Sequence, residues 1–230
     1  CTPLLDLTAL LVLFDLGLID NVVRFFGMVG IAKATLETLA TLVNPFSGSP
    51  LGAKCAELQN ALKPHLSAIT QPSISELEDA DEDGDENDGT VLGREHKEIT
   101  HLCHDEDGYR LYSDDLSFRV LAAKGDKPNG ICTLDVLAGL EEVGMLTRED
   151  VARKVSMLCG WRVGLVVRFD DLVALLPHEL DKVSNAKQGM EILDRRPEFM
   201  AIITAVWDFR ARFDKTLEHA AAVLRRLAEE

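Results

Sequence analysis

Two adjacent carboxylates stand in the stretch LYSDDLSFR, residues 111–119, where an apolar run ends and a helical pattern begins. Like charges repel more strongly as water is excluded, so Asp114 and Asp115 need solvent, a cation or a helix end to compensate them. A divalent metal ion is one such compensation, because Mg²⁺ and Mn²⁺ prefer oxygen ligands. The pair is therefore a candidate for metal-dependent chemistry.

Short apolar segments alternate with helical patterns along the first part of the chain. The spacing predicts strands that end near Asp6 and that cover residues 29–32, 109–113 and 130–133, with a helix after each. Such alternation is typical of a parallel sheet covered on both faces. We predict a Rossmann-like three-layer α/β/α fold with a central, mainly parallel sheet and a long C-terminal helix.

The carboxyl ends of the predicted strands should bring distant acidic residues together. Asp6 and the Asp114/Asp115 pair are predicted at such ends, which is where open α/β sheets bind ligands, and Glu37 lies in the helix after another strand. We expect these side chains to converge on Mg²⁺ or Mn²⁺. An ion held in this way can activate water and stabilise the charge that develops on a phosphate during hydrolysis.

Four segments resemble the PIN-domain family of metal-dependent nucleases, which includes many prokaryotic toxin ribonucleases. They are LLDLTALLVLFDLGLID, IAKATLETL, GREHKEITHL and the stretch from residue 111 to residue 155. The most specific part is the order of Asp, Arg, Ala, Gly, Thr, Leu and Gly between Asp114 and Gly144. The resemblance covers roughly residues 2–176 and implies a metal-dependent endoribonuclease.

The resemblance also implies roles for individual residues. The acidic residues that it marks as metal ligands and catalytic groups are Asp6, Glu37, Glu95 and one or both of Asp114 and Asp115. Glu98 is the alternative to Glu95 for the third acidic position, because the sequence leaves the register of this helix undetermined by one turn. Thr133 matches a small hydroxyl residue that binds substrate or orients water, and Asp135 is its possible substitute.

Each acidic residue also has a purely structural interpretation. Asp6 precedes an apolar periodic run and is then a helix N-cap. An N-cap followed by an acidic residue in the first helical turn would account for Asp114 and Asp115. Glu37 would be a solvated residue on a helix surface. These alternatives stay open at the level of the sequence.

The charge of the chain restricts how it can hold nucleic acid. The formal net charge is −15, which excludes a broad basic surface that neutralises phosphates. A bound cation would supply positive charge locally. The family resemblance implies RNA as the partner, with DNA as the alternative substrate. The second hypothesis is a catalytically weak or inactive PIN-like module that acts through protein interactions.

The predicted organisation is a PIN-like domain over residues 1–176 and a helical extension over residues 177–230. Nine acidic residues between Glu76 and Asp88 predict a disordered acidic insertion at about residues 71–90, because so dense a block of like charge opposes packing. After Pro197 an apolar stripe at helical spacing predicts a long helix. That helix either packs on the domain or meets a protein partner or a second copy of the chain.

Two further features of the sequence concern the cellular location of the protein. The only long apolar run is interrupted by Asp6, Asp15 and Asp20, so we predict no membrane partner. The five cysteines are widely spaced and contain no CxxC pair, which favours a reducing cytoplasm over a disulfide framework. Cys1 in place of methionine suggests a processed or excised piece of a longer polypeptide.

Overall fold

The computed structural model describes residues 1–43, 48–74, 93–105, 108–122, 130–161 and 186–204, except 194, 199 and 203. The chain forms two compact units, Cys1–Val136 and Leu137–Glu230. The predicted boundary at residue 176 lies outside the described residues and stays a prediction. The acidic block and most of the segment predicted to form the long C-terminal helix also lie outside them.

Strands and helices alternate in the first unit, as the sequence pattern predicts. In chain order the elements of this unit are β1 (Thr2–Leu5), α1 (Leu7–Asp15), α2 (Ile19–Phe26), β2 (Val29–Ile31), α3 (Lys33–Leu42), α4 (Pro50–Leu62), a 3-10 helix (Lys63–Ala68), β3 (Ile69–Thr70), α5 (Arg94–Asp105), β4 (Tyr109–Tyr112) and α6 (Leu116–Leu121). Helix α7 (Thr133–Glu142) begins in the first unit and ends in the second. The second unit also contains α8 (Arg148–Gly160) and α9 (Ala186–Leu193).

The four strands form one sheet in the order β3-β2-β1-β4, and every pairing is parallel. Leu5 pairs with Ile31 on one side and with Tyr112 on the other, so β1, β2 and β4 end at the same edge. A parallel bridge from Tyr112 to Ile131 extends this edge. The mixed α/β architecture with a parallel sheet and flanking helices is thus confirmed.

Two details of the sheet differ from the sequence prediction. The strand predicted over residues 130–133 is the single bridge at Ile131, because α7 already begins at Thr133. Strand β3 was not predicted, since Ile69 and Thr70 are too few to produce a recognisable alternation.

Helices α5 and α6 are fixed to the sheet by an apolar cluster. Ile99 and Leu102 from α5 and Phe118 from α6 pack with Leu4 and Leu111 of the central strands, and each of these side chains is at most 4% exposed. Burying residues of this size contributes on the order of 2 kcal/mol each. The starts of α5 and α6 are therefore held at the edge where β1 and β4 end.

No helix in the described ranges is both long enough and apolar enough to cross a bilayer.

The described residues of the second unit form helices, and α8 starts with a capping box. The Thr147 hydroxyl accepts the Asp150 N–H at 3.1 Å, while the Asp150 carboxylate accepts the Thr147 N–H at 3.3 Å. This exchange satisfies two donors that the first helical turn would otherwise leave unpaired.

Gly130 lies where backbone approaches backbone beside the candidate site. A Cβ at this position would stand 2.4 Å from the carbonyl oxygen of Leu111, which also accepts the N–H of Ile131 at 2.8 Å. We expect Gly130→Ala to lower the free energy of unfolding by about 1–3 kcal/mol, because β4 and the 130–132 segment must separate. Chemical denaturation measures this change.

Gly108→Ala provides the matched control at the opposite end of β4. A Cβ there would meet no atom within 4 Å, so the stability should stay near that of the parent. Equal losses for the two variants would show that the close contact at Gly130 is not what excludes a side chain.

Candidate functional site

Asp6 follows β1 directly and serves as the N-cap of α1. Its Oδ1 accepts the N–H of Ala9 at 2.7 Å, and its carboxylate also accepts the hydroxyl of Ser113. The side chain is only 2% exposed. The structural interpretation of Asp6 as a cap is therefore correct, but a cap requires neither such burial nor a second donor from the residue that follows β4.

Helix α5 carries both candidates for the third acidic position, and they face different partners. Glu95 Oε1 accepts the N–H of Leu7 at 3.0 Å and the hydroxyl of Thr35 at 3.2 Å. Glu95 thus lies at the start of α1, next to Asp6. It is the acidic residue of α5 that the fold brings to the end of β1.

Glu98 is buried one turn further along α5 and caps α3 from outside that helix. Its Oε2 accepts the N–H of Ala34 at 2.8 Å, and its Oε1 accepts the N–H of Ile74 at 3.3 Å. The N-cap residue of α3, Ala32, has no side chain that can accept these donors. Both oxygens of Glu98 are committed to backbone groups, which gives this residue a structural role.

Asp114 and Asp115 point to different partners, which answers how the chain tolerates two adjacent charges. Asp115 is exposed and caps α6, with Oδ1 accepting the N–H groups of Ser117 at 2.7 Å and Phe118 at 3.2 Å. Asp114 turns to Thr133, whose N–H and hydroxyl reach its two oxygens at 2.8 Å and 2.6 Å. Only Asp114 faces inward.

Tyr112 and Thr133 form a hydroxyl chain that ends on Asp114. The Tyr112 hydroxyl lies 3.1 Å from Thr133 Oγ1, and both residues are fully buried. Because Thr133 has one hydroxyl proton and donates it to Asp114, the Tyr112 hydroxyl donates to Thr133. The sequence predicts that Thr133 binds substrate. In the structure its N–H and its hydroxyl both donate to Asp114.

Burial and mutual repulsion make the inward carboxylates hold protons more tightly. Burial raises the pKa of Asp6 to about 7; the charges of Glu95 and Asp114 add to the rise, and the Ser113 and Ala9 hydrogen bonds oppose it. Burial likewise raises the pKa of Asp114, against the hydrogen bonds from Thr133. We call Asp6, Glu95 and Asp114 the carboxylate cluster.

Glu37 lies on the exposed side of α3 among cations. Its carboxylate is 3.8 Å from Lys33 Nζ and 3.5 Å from Arg94 Nη1, and its side chain is 46% exposed. It lines a cleft of about 300 Å³ between α3 and the start of α5, together with Glu95. The structure therefore places Glu37 next to Glu95 across this cleft.

The sequence analysis missed several residues that shape the cluster. Ser113 donates to Asp6 and accepts the N–H of Asp115 at 3.1 Å. Arg119 Nη1 donates to the Ser113 carbonyl at 3.1 Å, and its charge lowers the pKa of Asp114. Arg119 therefore places a basic residue beside the carboxylate cluster. The arginine one helical turn after Asp115 was the available signal.

Asp135, the proposed substitute for Thr133, has a local role. It lies in the first turn of α7, where Oδ2 accepts the N–H of Cys132 at 2.8 Å. It is exposed, although its charge raises the pKa of Asp114. Asp135 thus belongs to the surroundings of the cluster.

In the described part of the chain, no three His, Cys, Asp or Glu side chains are arranged closely enough to hold a metal ion. Comparison with family models, with curated proteins and with solved structures finds no match. The resemblance of the sequence motifs to the PIN family therefore stays a prediction.

The raised pKa of Asp6 predicts a pH-dependent stability. Since the folded state binds this proton more tightly than the unfolded chain, the contribution is present below pH ~4 and is lost as the pH rises through ~7. The free energy of unfolding, measured by urea titration without metal, should fall with a slope of up to ~1.4 kcal/mol per pH unit in this window.

Asp6→Asn keeps an oxygen for the Ala9 N–H but has no proton to release. Its stability should therefore lack this component of the pH profile. If the parent and Asp6→Asn have parallel profiles between pH 4 and pH 8, Asp6 does not carry the proton.

Proposed function

We propose that the protein is a metal-dependent nuclease that hydrolyses phosphodiester bonds in RNA. The observation that supports this most is the meeting of three carboxylates from separate elements at one sheet edge. Asp6 follows β1 and Asp114 follows β4. Glu95 lies on α5, and its carboxylate accepts the N–H of Leu7, the first residue of α1. Acidic residues so placed in an α/β fold are suited to a divalent cation and a phosphate.

The donor chemistry of the cluster fits Mg²⁺ or Mn²⁺. All three ligand candidates offer oxygen atoms, and in the described residues none of them forms a salt bridge with a lysine or an arginine. Because these side chains do not form a coordinating group as they stand, at least one must change its conformation on binding. The ion would act as a Lewis acid toward phosphate and lower the pKa of a bound water.

The remaining residues would hold the cluster in place. Ser113 and the Ala9 N–H orient Asp6, and Thr133 fixes both oxygens of Asp114. The positive end of α1 stabilises the charges of Asp6 and Glu95 when no cation is bound. These contacts limit how far Asp6 and Asp114 can move, so they restrict the rearrangement that binding of a charged ligand would require.

The finer assignment of the fold belongs to the same proposal. A Rossmann-like, PIN-type α/β/α domain accounts for the parallel strand order and for Asp6 and Asp114 at the ends of neighbouring strands. In this proposal Asp115 is a helix cap and Glu37 binds cations of the chain, so neither is a metal ligand. Glu37 therefore departs from the role that the family resemblance implies, while Asp114 alone keeps the role that the resemblance gives to one or both residues of the pair.

A second candidate is a PIN-like module without catalysis that acts through a protein partner. The lack of a ready coordinating group among the described residues favours it, as does Arg119 beside Asp114. A cation bound by the protein would compete with this arginine for the carboxylate. Metal binding decides between the two candidates.

Thermal unfolding with and without Mn²⁺ tests the proposed function. At a free metal concentration about 100 times the Kd, the parent should gain ~2.7 kcal/mol and ~5–10 °C in Tm. Asp6→Asn and Asp114→Asn should lose this gain together with the Mn²⁺-dependent cleavage of a labelled RNA. Asp115→Asn should keep both, because Asn also caps a helix.

The two acidic residues of α5 provide a matched pair for the same measurement. Glu95→Gln should abolish the Mn²⁺-dependent gain, whereas Glu98→Gln should lower the stability equally with and without the metal. A parent protein with no Mn²⁺ response contradicts the nuclease. A gain that is lost in Asp115→Asn but kept in Asp114→Asn would contradict the assignment of the inward carboxylate.

A further inference from the structure

Two cations flank one exposed carboxylate beside the carboxylate cluster. Lys33, at the start of α3, and Arg94, at the start of α5, both approach Glu37, at 3.8 Å and 3.5 Å. Their side chains are 49% and 47% exposed. Exposed ion pairs of this kind contribute little to stability, so a ligand of higher charge can replace Glu37.

The cleft connects Arg94 with the proposed site. Arg94 and Glu37 line it, and so does Glu95, whose Oε1 contacts the start of α1. Arg94 and Glu95 are consecutive residues, so the Arg94 guanidinium is carried by the residue next to a member of the carboxylate cluster. A linear polyanion with one phosphate at the cluster has its neighbouring phosphates within reach of this cleft.

We propose that Lys33 and Arg94 form an anion subsite that binds a phosphate of a single-stranded nucleic acid beside the carboxylate cluster. The inference rests on the proposed function, because it takes the strand to be the substrate of the same site. Glu37, which lines the cleft, is then a positioning residue that holds Arg94 in the cleft and Lys33 beside it until phosphate displaces it. Arginine suits this task, since its planar fork binds two phosphate oxygens at once.

The subsite also explains how a chain with a net charge of −15 can hold a polyanion. Long-range attraction is absent, so binding has to depend on a few local cations. Each phosphate contact made by such a cation contributes about 0.7 to the slope of log K against log salt for a single strand. That slope distinguishes a local contact from a general effect of charge.

Fluorescence anisotropy of a labelled RNA 12-mer in EDTA and low salt tests the proposal without cleavage. Arg94→Gln should weaken binding about fivefold and reduce the salt slope by about 0.7. Glu37→Gln should tighten binding about fivefold, since one carboxylate that competes with phosphate for the cations is removed. A metal ligand at position 37 predicts the opposite result in Mn²⁺, namely a loss of binding and cleavage.

Two control variants make equal changes in charge elsewhere. Lys54, whose Nζ is 2.7 Å from Asp15, and the exposed Glu57 both lie on α4. Lys54→Gln and Glu57→Gln should leave the Kd unchanged. The proposal is overturned if Lys54→Gln weakens binding as much as Arg94→Gln, if Glu37→Gln weakens it, or if the parent binds no RNA.

Cleavage in Mn²⁺ separates this proposal from the nuclease itself. The two proposals together predict that Arg94→Gln raises KM and leaves kcat nearly unchanged. Binding with the expected pattern of variants but without cleavage would keep the subsite and reject the nuclease. Cleavage with the Kd and KM of Arg94→Gln equal to those of the parent would reject the subsite alone.

Discussion

The parallel pairing of β1 with β4 is the constraint on which the candidate site depends. With Leu5 opposite Tyr112, the residues that follow the two strands must emerge side by side, and these are Asp6 and the Ser113–Asp114 pair. Their repulsion is a consequence of the topology and not of the local sequence. The starts of α1 and α7 supply the donors that make the arrangement stable, and α5 supplies the third carboxylate, Glu95.

Hydrogen-bond donors, rather than opposite charges, carry most of this compensation. The start of α1 gives one N–H to Asp6 and one to Glu95, and the start of α7 gives an N–H and a hydroxyl to Asp114. The donors to Asp6 and Asp114 moderate the rise in the pKa of these two residues but do not cancel it, because burial is the largest cause. Three carboxylates with incomplete compensation are what a divalent cation would complete.

The sequence predicted features that depend on short stretches of chain. Asp6 and Asp114 follow apolar runs, so their place at strand ends was visible, and helix α1 followed from its spacing. The cap that Glu98 provides for Ala34 could not be predicted, because the two residues are 64 positions apart. The different roles of Asp114 and Asp115 could not be predicted from the sequence either. It depends on the residue at which α6 begins and on a hydroxyl from α7.

The most direct measurement is the anomalous diffraction of a crystal soaked in Mn²⁺, recorded above the manganese absorption edge. The account predicts one strong peak that is bonded to oxygen atoms of Asp6, Glu95 and Asp114, with Asp115 still capping α6 and Glu37 still beside Arg94. A crystal with no peak at this sheet edge at saturating Mn²⁺, or with the ion bound by Asp115 and Glu37 instead, would contradict it.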